Sequence, residues 1–335
     1  MLSSSSSKNR TTVRSRNAIR LTKAALQTAF VLSDNLGASL AERLFTTPRR
    51  HARPDRERSI LATAREGSVE VTLRSPRHVG TTVTVPTWRW GLGPTVLLVH
   101  GWEGRGSQLG AFVAPLVHAG LSVVTFDAPG HGNASDHRLY LTDLADTVAD
   151  VAAAIGPLHG IVAHSFGAAG VLLAGTRRGL RCARNVMVAP NVIVDDSVVR
   201  FARMVGLDDV DRTAFAQRIE SHSGITIENL RLDRLTADRD ERMLIIHDRT
   251  DREVPLDHGE RLAALWPNAQ LVVTDDLGHR RILRDDATIA ATVYMLADGL
   301  QPPVSDLVRE IDRQLDEALW SDRWADPTAL WTANV

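Results

Sequence analysis

The chain of 335 residues lacks three features that would point to particular classes of protein. Cys182 is its only cysteine, so it has neither an intramolecular disulfide nor a cysteine-based metal cluster, which fits a reducing compartment. No apolar run approaches the roughly 20 residues needed to span a bilayer. A net charge of −1 gives no general reason to expect a nucleic-acid partner. With 44% hydrophobic residues, the chain can instead bury one substantial core.

Acidic side chains are absent from the first 33 residues. After a serine run this stretch carries six basic residues, namely Lys8, Arg10, Arg14, Arg16, Arg20 and Lys23. The composition is typical of an organellar transit peptide, although a disordered basic tail over residues 1–16 is the plainer interpretation. We therefore expect a cytoplasmic protein, with organelle targeting as the alternative. Binding of this arm to an acidic partner or a membrane surface is a further hypothesis.

Two terminal regions flank the predicted domain at residues 59–300. Apolar residues at helical spacing predict a helix from about Asn17 to Phe45, and a charged linker follows up to residue 58. We expect this helix to lie on the domain; lying on a membrane or partner is the alternative. Residues 301–335 begin near a Pro-Pro pair and carry a second apolar helical face with tryptophans beyond it. This tail would either dock on the domain or form a homo-oligomer contact.

Apolar strands alternate with helical segments through the predicted domain. An alternating, half-exposed antiparallel pair at Val69–Leu73 and Thr82–Trp90 precedes strands at Thr95–Val99, Ser122–Phe126, Gly160–Ala163, Asn185–Ala189, Met243–Ile246 and Gln270–Thr274. Strands with almost no polar alternation are typical of a parallel sheet covered on both faces and joined by right-handed crossovers. The sequence therefore predicts an α/β fold: a doubly wound, mostly parallel eight-stranded sheet with an antiparallel start.

Polar motifs follow several of these strands, at the edge of the sheet where ligands of such folds bind. They read HGW at 100–102, DAPGHG at 127–132, AHSFG at 163–167, HDRTDREVP at 247–255 and GH at 278–279. A serine, an aspartate and a histidine thus occupy successive strand ends in that chain order. A serine hydroxyl needs a base to become a nucleophile, and the base needs a carboxylate to hold its tautomer.

These motifs, in this order, resemble the α/β-hydrolase superfamily over roughly Val69 to Leu296. The resemblance implies that Ser165 is the nucleophile on a strained strand-to-helix turn, whereas a plain helix cap is the alternative role of a serine there. The chain departs from the usual G-x-S-x-G pattern in having Ala163 in place of the first glycine. Alanine is the smallest substitute, so the turn is expected to form.

The resemblance also implies the other catalytic groups. His279 is the implied base, and Asp251 is favoured as the acid because it lies four residues after the strand-ending histidine and precedes Val-Pro. Asp248, after the same strand, stays the alternative acid. The backbone N–H groups of Trp102 and Phe166 are the implied oxyanion hole. No cofactor and no metal ion are expected.

The segment from 190 to 242 is longer than an ordinary crossover, and two apolar helical patterns in it predict a helical lid. Their apolar faces would either close over the site and favour an acyl or alkyl group, or pack on the sheet. Arg280 and Arg281 would attract a substrate carboxylate or simply be solvated, and solvation is favoured.

We therefore expect a serine hydrolase that cleaves an ester or thioester of a small, largely apolar molecule through an acyl-Ser165 intermediate. Amide or carbon–carbon hydrolysis and acyl transfer use the same triad and stay open. A hydrolase-fold binding protein with little turnover is the alternative from another class. Serine at this turn argues against the dehalogenases and epoxide hydrolases of the superfamily, which use aspartate there.

Overall fold

One sheet lies at the centre of the fold. In the computed structural model, which describes residues 20–298, eight strands form this sheet. They are β1 (Arg65–Leu73), β2 (Thr81–Trp90), β3 (Thr95–Val99), β4 (Ser122–Phe126), β5 (Leu158–His164), β6 (Arg184–Val188), β7 (Arg242–Asp248) and β8 (Ala269–Thr274). Their spatial order is β1-β2-β4-β3-β5-β6-β7-β8, with antiparallel pairing from β1 to β4 and parallel pairing from β4 to β8. The predicted doubly wound, mostly parallel sheet is confirmed.

The central strands are apolar throughout because both of their faces are covered. Every residue of β3 and β4 is buried, and Leu97 of β3 pairs with Val124 of β4 and Ile161 of β5. In β2, by contrast, Val83 is buried while Thr84 is exposed. Such alternation is expected where one face of a strand meets solvent.

Helices join the strands and flank the sheet. The described helices are α1 (20–32), α2 (Asp34–Thr46), α3 (Asp55–Leu61), α4 (Val113–His118), α5 (Leu141–Ile155), α6 (Phe166–Arg178), α7 (Val194–Val205), α8 (Asp209–Ser223), α9 (Leu232–Leu235), α10 (Asp257–Leu265), α11 (Gly278–Arg281) and α12 (Asp286–Ala297). Helices α5 and α6 pack closely. A Cβ atom on Gly170 would lie 2.7 Å from Leu144, so glycine permits this approach.

Helices α1, α2, α7 and α8 form a second apolar layer, called the roof below. Its cluster consists of Leu26, Phe30, Ala38, Ala41, Val198, Val205 and Phe215. The ring of Phe45 on α2 lies edge-on to Phe201 on α7 and Phe215 on α8, with centroid distances of 5.0 and 5.4 Å. The apolar faces of the inserted helices therefore meet the N-terminal helices, a partner that the sequence analysis did not consider for them.

The N-terminal region differs from its prediction in two respects. The single helix predicted up to Phe45 is two helices, because Ser33 adopts an extended conformation with φ −173° and ψ 134°. Helix α3 begins within the predicted linker and runs beyond its end at residue 58, and it docks through an ion pair between the buried Glu57 and Arg105, 2.6 Å apart. Residues 1–16 and 301–335, with the predictions made for them, lie outside the described residues. Within 20–298, no helix has the length and apolar character required to cross a bilayer.

Candidate active site

Ser165 lies at the turn where β5 ends and α6 begins. Its φ of 54° and ψ of −124° place it in a region that residues with a side chain rarely adopt. The loop after β3 approaches this turn closely. A Cβ atom on Gly101 would lie 2.8 Å from the Cβ of Ser165, and one on Gly167 would lie 2.6 Å from the carbonyl oxygen of His100. The close approach therefore depends on glycine both in this loop and in α6. Ala163 is fully buried within β5.

The structure brings Ser165, His279 and Asp251 together. The Oγ of Ser165 is 2.9 Å from Nε2 of His279, and Nδ1 of His279 is 2.7 Å from Oδ2 of Asp251. A carboxylate can only accept here, so Nδ1–H donates to Asp251 and Nε2 is left to accept the serine proton. His279 lies in the short helix α11 just after β8, and Asp251 lies in the loop after β7. The three side chains are 8% exposed or less.

Asp251 is held by its own loop as well as by the histidine. Its Oδ1 accepts the backbone N–H groups of Glu253 and Val254 at 2.8 and 2.9 Å. Burial raises the pKa of the Asp251 carboxyl, but contacts with His247 and His279 outweigh burial and hold that pKa well below its usual range. The carboxylate is thus charged at neutral pH and fixed in position.

Asp248, the alternative acid, has other partners. Its oxygens accept from the hydroxyls of Thr250 and Thr274 at 2.7 and 2.9 Å and from the N–H of Leu277 at 3.0 Å. Burial opposes ionisation, but these hydrogen bonds lower the pKa of Asp248 to about 2. Asp248 therefore ties the end of β7 to the segment after β8, and in the described residues it is Asp251 that hydrogen-bonds to His279.

The backbone N–H of Trp102 lies in the loop after β3, and that of Phe166 lies at the start of α6, next to Ser165. Both residues line the cavity above the serine, and their rings pack edge-on with centroids 5.6 Å apart. Phe166 is the first residue of α6, where the N–H has no acceptor within the helix. Among residues 20–298, neither N–H donates to another protein group. Both donors are free for an oxygen of a bound molecule.

Three further histidines around the site are buried and neutral. Burial lowers the pKa of His100 to about 4 and those of His131 and His164 to about 3. His100 donates to the Gly101 carbonyl at 2.8 Å and accepts the N–H of Ala128 at 3.0 Å, which joins the loops after β3 and β4.

His164 fixes the segment that carries His279. Its Nε2–H donates to the carbonyl oxygen of His279 at 3.0 Å, and the two rings are tilted by 43° with centroids 4.7 Å apart. His164 therefore holds the backbone of His279, not its ring nitrogens.

A cavity of about 1130 Å³ opens above Ser165. Much of its lining is apolar and comes from the roof, including Leu40, Phe45, Val194, Val198, Phe201, Met204 and Ile219. Residues 190–242 were the segment predicted to cover the site, but α2 lines the cavity as well. The apolar spacing of Leu36, Leu40 and Leu44 was the available signal, but it does not name the partner. Within residues 20–298, no group of three or more His, Cys, Asp or Glu side chains is arranged to hold a metal ion.

The fold and the sequence both match known α/β hydrolases. Residues 93–271 match the family model described as serine aminopeptidase, S33 (Hydrolase_4). That match covers more than half of the chain, so the chain belongs to this α/β-hydrolase family. The predicted resemblance is confirmed, and membership makes the protein a hydrolase in the general sense.

Solved structures of similar fold come from several organisms. An esterase from Pyrococcus furiosus matches with a TM-score of 0.52 and 18% identity over 76% of this chain and 97% of that one. Est1E from Butyrivibrio proteoclasticus, solved with ferulic acid, matches with a TM-score of 0.51 and 16% identity. The match covers 64% of this chain and 94% of that one. Rv0554 from Mycobacterium tuberculosis matches with a TM-score of 0.53 and 18% identity. The match covers 70% of this chain and 100% of that one. At these identities the likeness concerns the fold alone. A search of curated proteins found no match.

Proposed function

We propose that the protein is a serine hydrolase that cleaves a carboxylic ester or thioester of a largely apolar molecule through an acyl-Ser165 intermediate. One observation carries the proposal: the chain of hydrogen bonds from Ser165 through His279 to Asp251 lies at a cavity with an apolar lining. This is the arrangement that a nucleophile, a base and an orienting acid require.

In the acylation step, His279 takes the proton of Ser165 as Oγ attacks the carbonyl carbon. The new C–O bond places a negative charge on the carbonyl oxygen, which the N–H groups of Trp102 and Phe166 stabilise. Asp251 stabilises the imidazolium that forms. Collapse of the intermediate breaks the bond to the leaving group, which takes the proton from His279 and departs as an alcohol or a thiol.

Deacylation repeats these events with water. His279 takes a proton from water, the hydroxide attacks the acyl carbon, and the bond to Oγ breaks. Ser165 recovers its proton from His279, and the carboxylic acid is released. Removing either oxyanion donor would cost on the order of 3 kcal/mol of transition-state stabilisation.

The charges that line the cavity favour an ester over the substrate of an aminopeptidase. A free α-ammonium group needs an unpaired carboxylate in its pocket. The cavity has two glutamates, and each is paired: Glu103 with Arg49 at 2.8 Å and Glu253 with Arg280 at 3.0 Å. An ester with an apolar acyl group leaves no such charge unsatisfied.

Hydrolysis of 4-nitrophenyl esters from acetate to decanoate tests this proposal, with leucine 4-nitroanilide as the aminopeptidase comparison. We expect ester turnover that falls at least about a thousandfold in Ser165→Ala, because the triad acts as a unit. Ser68→Ala, at an exposed position of β1, is the matched control and should keep full activity. Folded wild-type protein that turns over none of these esters would favour the binding-protein alternative, and preferred cleavage of the anilide would favour amide hydrolysis.

A further inference from the structure

Arginines outnumber acidic residues in the lining of the cavity. Six line it, namely Arg43, Arg49, Arg200, Arg252, Arg280 and Arg284, against the two glutamates Glu103 and Glu253. Over the whole chain, by contrast, 39 lysines and arginines stand against 40 acidic residues. The excess is therefore a property of this cavity and not of the protein in general.

Three of these arginines already have acidic partners. Arg49 and Arg280 pair with the two glutamates, and Arg200 lies 3.4 Å from Asp196. These pairs are neutral as units, so they do not select a charged substrate.

The other three have no such partner. Among residues 20–298, no side-chain hydrogen bond or ion pair holds Arg43, Arg252 or Arg284, and all three are exposed. Arg43 belongs to the last turn of α2 in the roof, Arg252 directly follows Asp251, and Arg284 follows α11, which carries His279. Three exposed arginines without an acidic partner among the described residues thus line one cavity, from its roof and from the segments that carry Asp251 and His279.

The chemistry of the site indicates which part of a substrate these arginines meet. His279 must reach the leaving-group oxygen or sulfur to protonate it, so the leaving group lies on the side of the base. Arg252 and Arg284 belong to the segments that carry Asp251 and His279, so they lie nearer to the leaving group than to the acyl group. Guanidinium groups bind phosphate and carboxylate oxygens with paired N–H donors.

We propose that the cavity takes an amphiphilic ester whose leaving group carries a phosphate or a carboxylate, bound by Arg43, Arg252 and Arg284. The acyl chain then lies on the apolar lining under the roof. This inference rests on the proposed ester hydrolysis and specifies its substrate class. The products are a fatty acid and an anionic alcohol, so a reaction that esterifies such an alcohol must supply the substrate.

The test compares three substrates with one acyl group: 1-octanoylglycerol, its 3-phosphate, and 3-octanoyl-glycerate. The readout is the ratio of kcat/KM for each anionic ester to that for the neutral ester. We expect a ratio of about 10 or more for the wild type at low salt, falling as salt screens the charges. In Arg252→Gln/Arg284→Gln the ratio should fall about tenfold, and Arg43→Gln should lower it less.

Arg203→Gln is the matched control, because Arg203 is an exposed arginine on α7 that does not line the cavity. Its ratio should equal that of the wild type. Preference for the phosphate alone or for both anions supports the inference and identifies the anion. A ratio near 1 in the wild type, or a ratio unchanged in the double variant, overturns the inference. The proposed function still stands in that case if the wild type hydrolyses the esters. Failure to hydrolyse any ester overturns both.

Discussion

Nε2 of His279 lies 2.9 Å from Oγ of Ser165, although 114 positions separate the two residues in the chain. The sheet makes this contact possible, because β5 and β8 are parallel strands that end at the same edge: Ser165 directly follows β5, and His279 lies in α11 after β8. The contact survives only if the loops around it keep their close approach. The predictions below therefore concern these loops, the roof above them and the buried groups beneath them.

Gly101→Ala should disable the site without unfolding the protein. The added methyl group would lie 2.8 Å from the Cβ of Ser165, so the loop that carries the Trp102 N–H must move away. We expect kcat for ester hydrolysis to fall by about 10² to 10³, the cost of losing one oxyanion donor. Gly67→Ala on β1, where the new Cβ would meet the hydroxyl of Thr87 at 3.1 Å, is the control. Full activity in Gly101→Ala would contradict the assignment of the Trp102 N–H.

Glu42→Gln should destabilise the attachment of the roof. The Glu42 carboxylate on α2 is fully buried, and it accepts from the hydroxyl of Tyr140 at 2.7 Å, from Arg218 at 2.8 Å and from His222. A neutral amide would leave these donors without a charged acceptor. We expect the free energy of unfolding in urea to fall by about 3 kcal/mol or more.

Glu260→Gln, at an exposed position of α10, is the control for the loss of charge and should change stability by less than about 0.5 kcal/mol. Equal effects of the two substitutions would show that the Glu42 cluster does not hold the roof.

Stability should fall as the pH is lowered below about 6.5. Burial lowers the pKa values of His100, His131 and His164 to between about 3 and about 4. The unfolded chain therefore binds more protons than the folded chain between these values and about 6.5, so the stability contributed by the neutral histidines is complete above this window and is lost as the pH falls through it.

The variant His131→Asn should lose less stability on acidification than the wild type. Each such histidine contributes at most about 1.4 kcal/mol per pH unit. Between pH 7.5 and 5.0 we expect the loss of unfolding free energy to be smaller in the variant by about 1 to 2 kcal/mol. Parallel pH profiles for the two proteins would contradict a neutral, buried His131.

Phe201→Ala should enlarge the cavity and shift the preference towards longer acyl chains. The Phe201 ring lines the cavity and contacts the rings of Phe45 and Phe215 at 5.0 and 5.2 Å. Each further methylene that becomes buried contributes about 0.8 kcal/mol, so the chain length with the highest kcat/KM should increase by two or more carbons. Leu265→Ala, at an exposed site on α10, should leave the chain-length profile unchanged. An unchanged profile in Phe201→Ala would place the acyl chain elsewhere.

The sequence was sufficient for the sheet because buried parallel strands are continuous apolar runs, as in β3 and β4. It was less informative at strand ends. Arg65 and Glu66 of β1 are polar and exposed, yet they belong to the strand through backbone pairing with Arg89 and Trp88 of β2. The order of the motifs at the strand ends led to the family and to the three side chains that the structure brings together.

The roof could not be predicted in the same way. Helical spacing identifies an apolar face but does not identify what covers it, so the contact between α2 and α7 through Phe45 and Phe201 was not anticipated. The break at Ser33 also lacks a glycine or proline signal. Ion pairs such as Glu57 with Arg105 join residues 48 positions apart, and a single sequence gives no evidence for such pairs.

Covalent labelling with a fluorophosphonate probe tests the central claim most directly, with intact-protein mass and peptide mapping as the readout. The account predicts one added label on Ser165 in the wild type, none in Ser165→Ala, and strongly slowed labelling in His279→Ala and Asp251→Asn. Folded wild-type protein that stays unlabelled, or a label on another residue, would contradict the claim that Ser165 is an activated nucleophile.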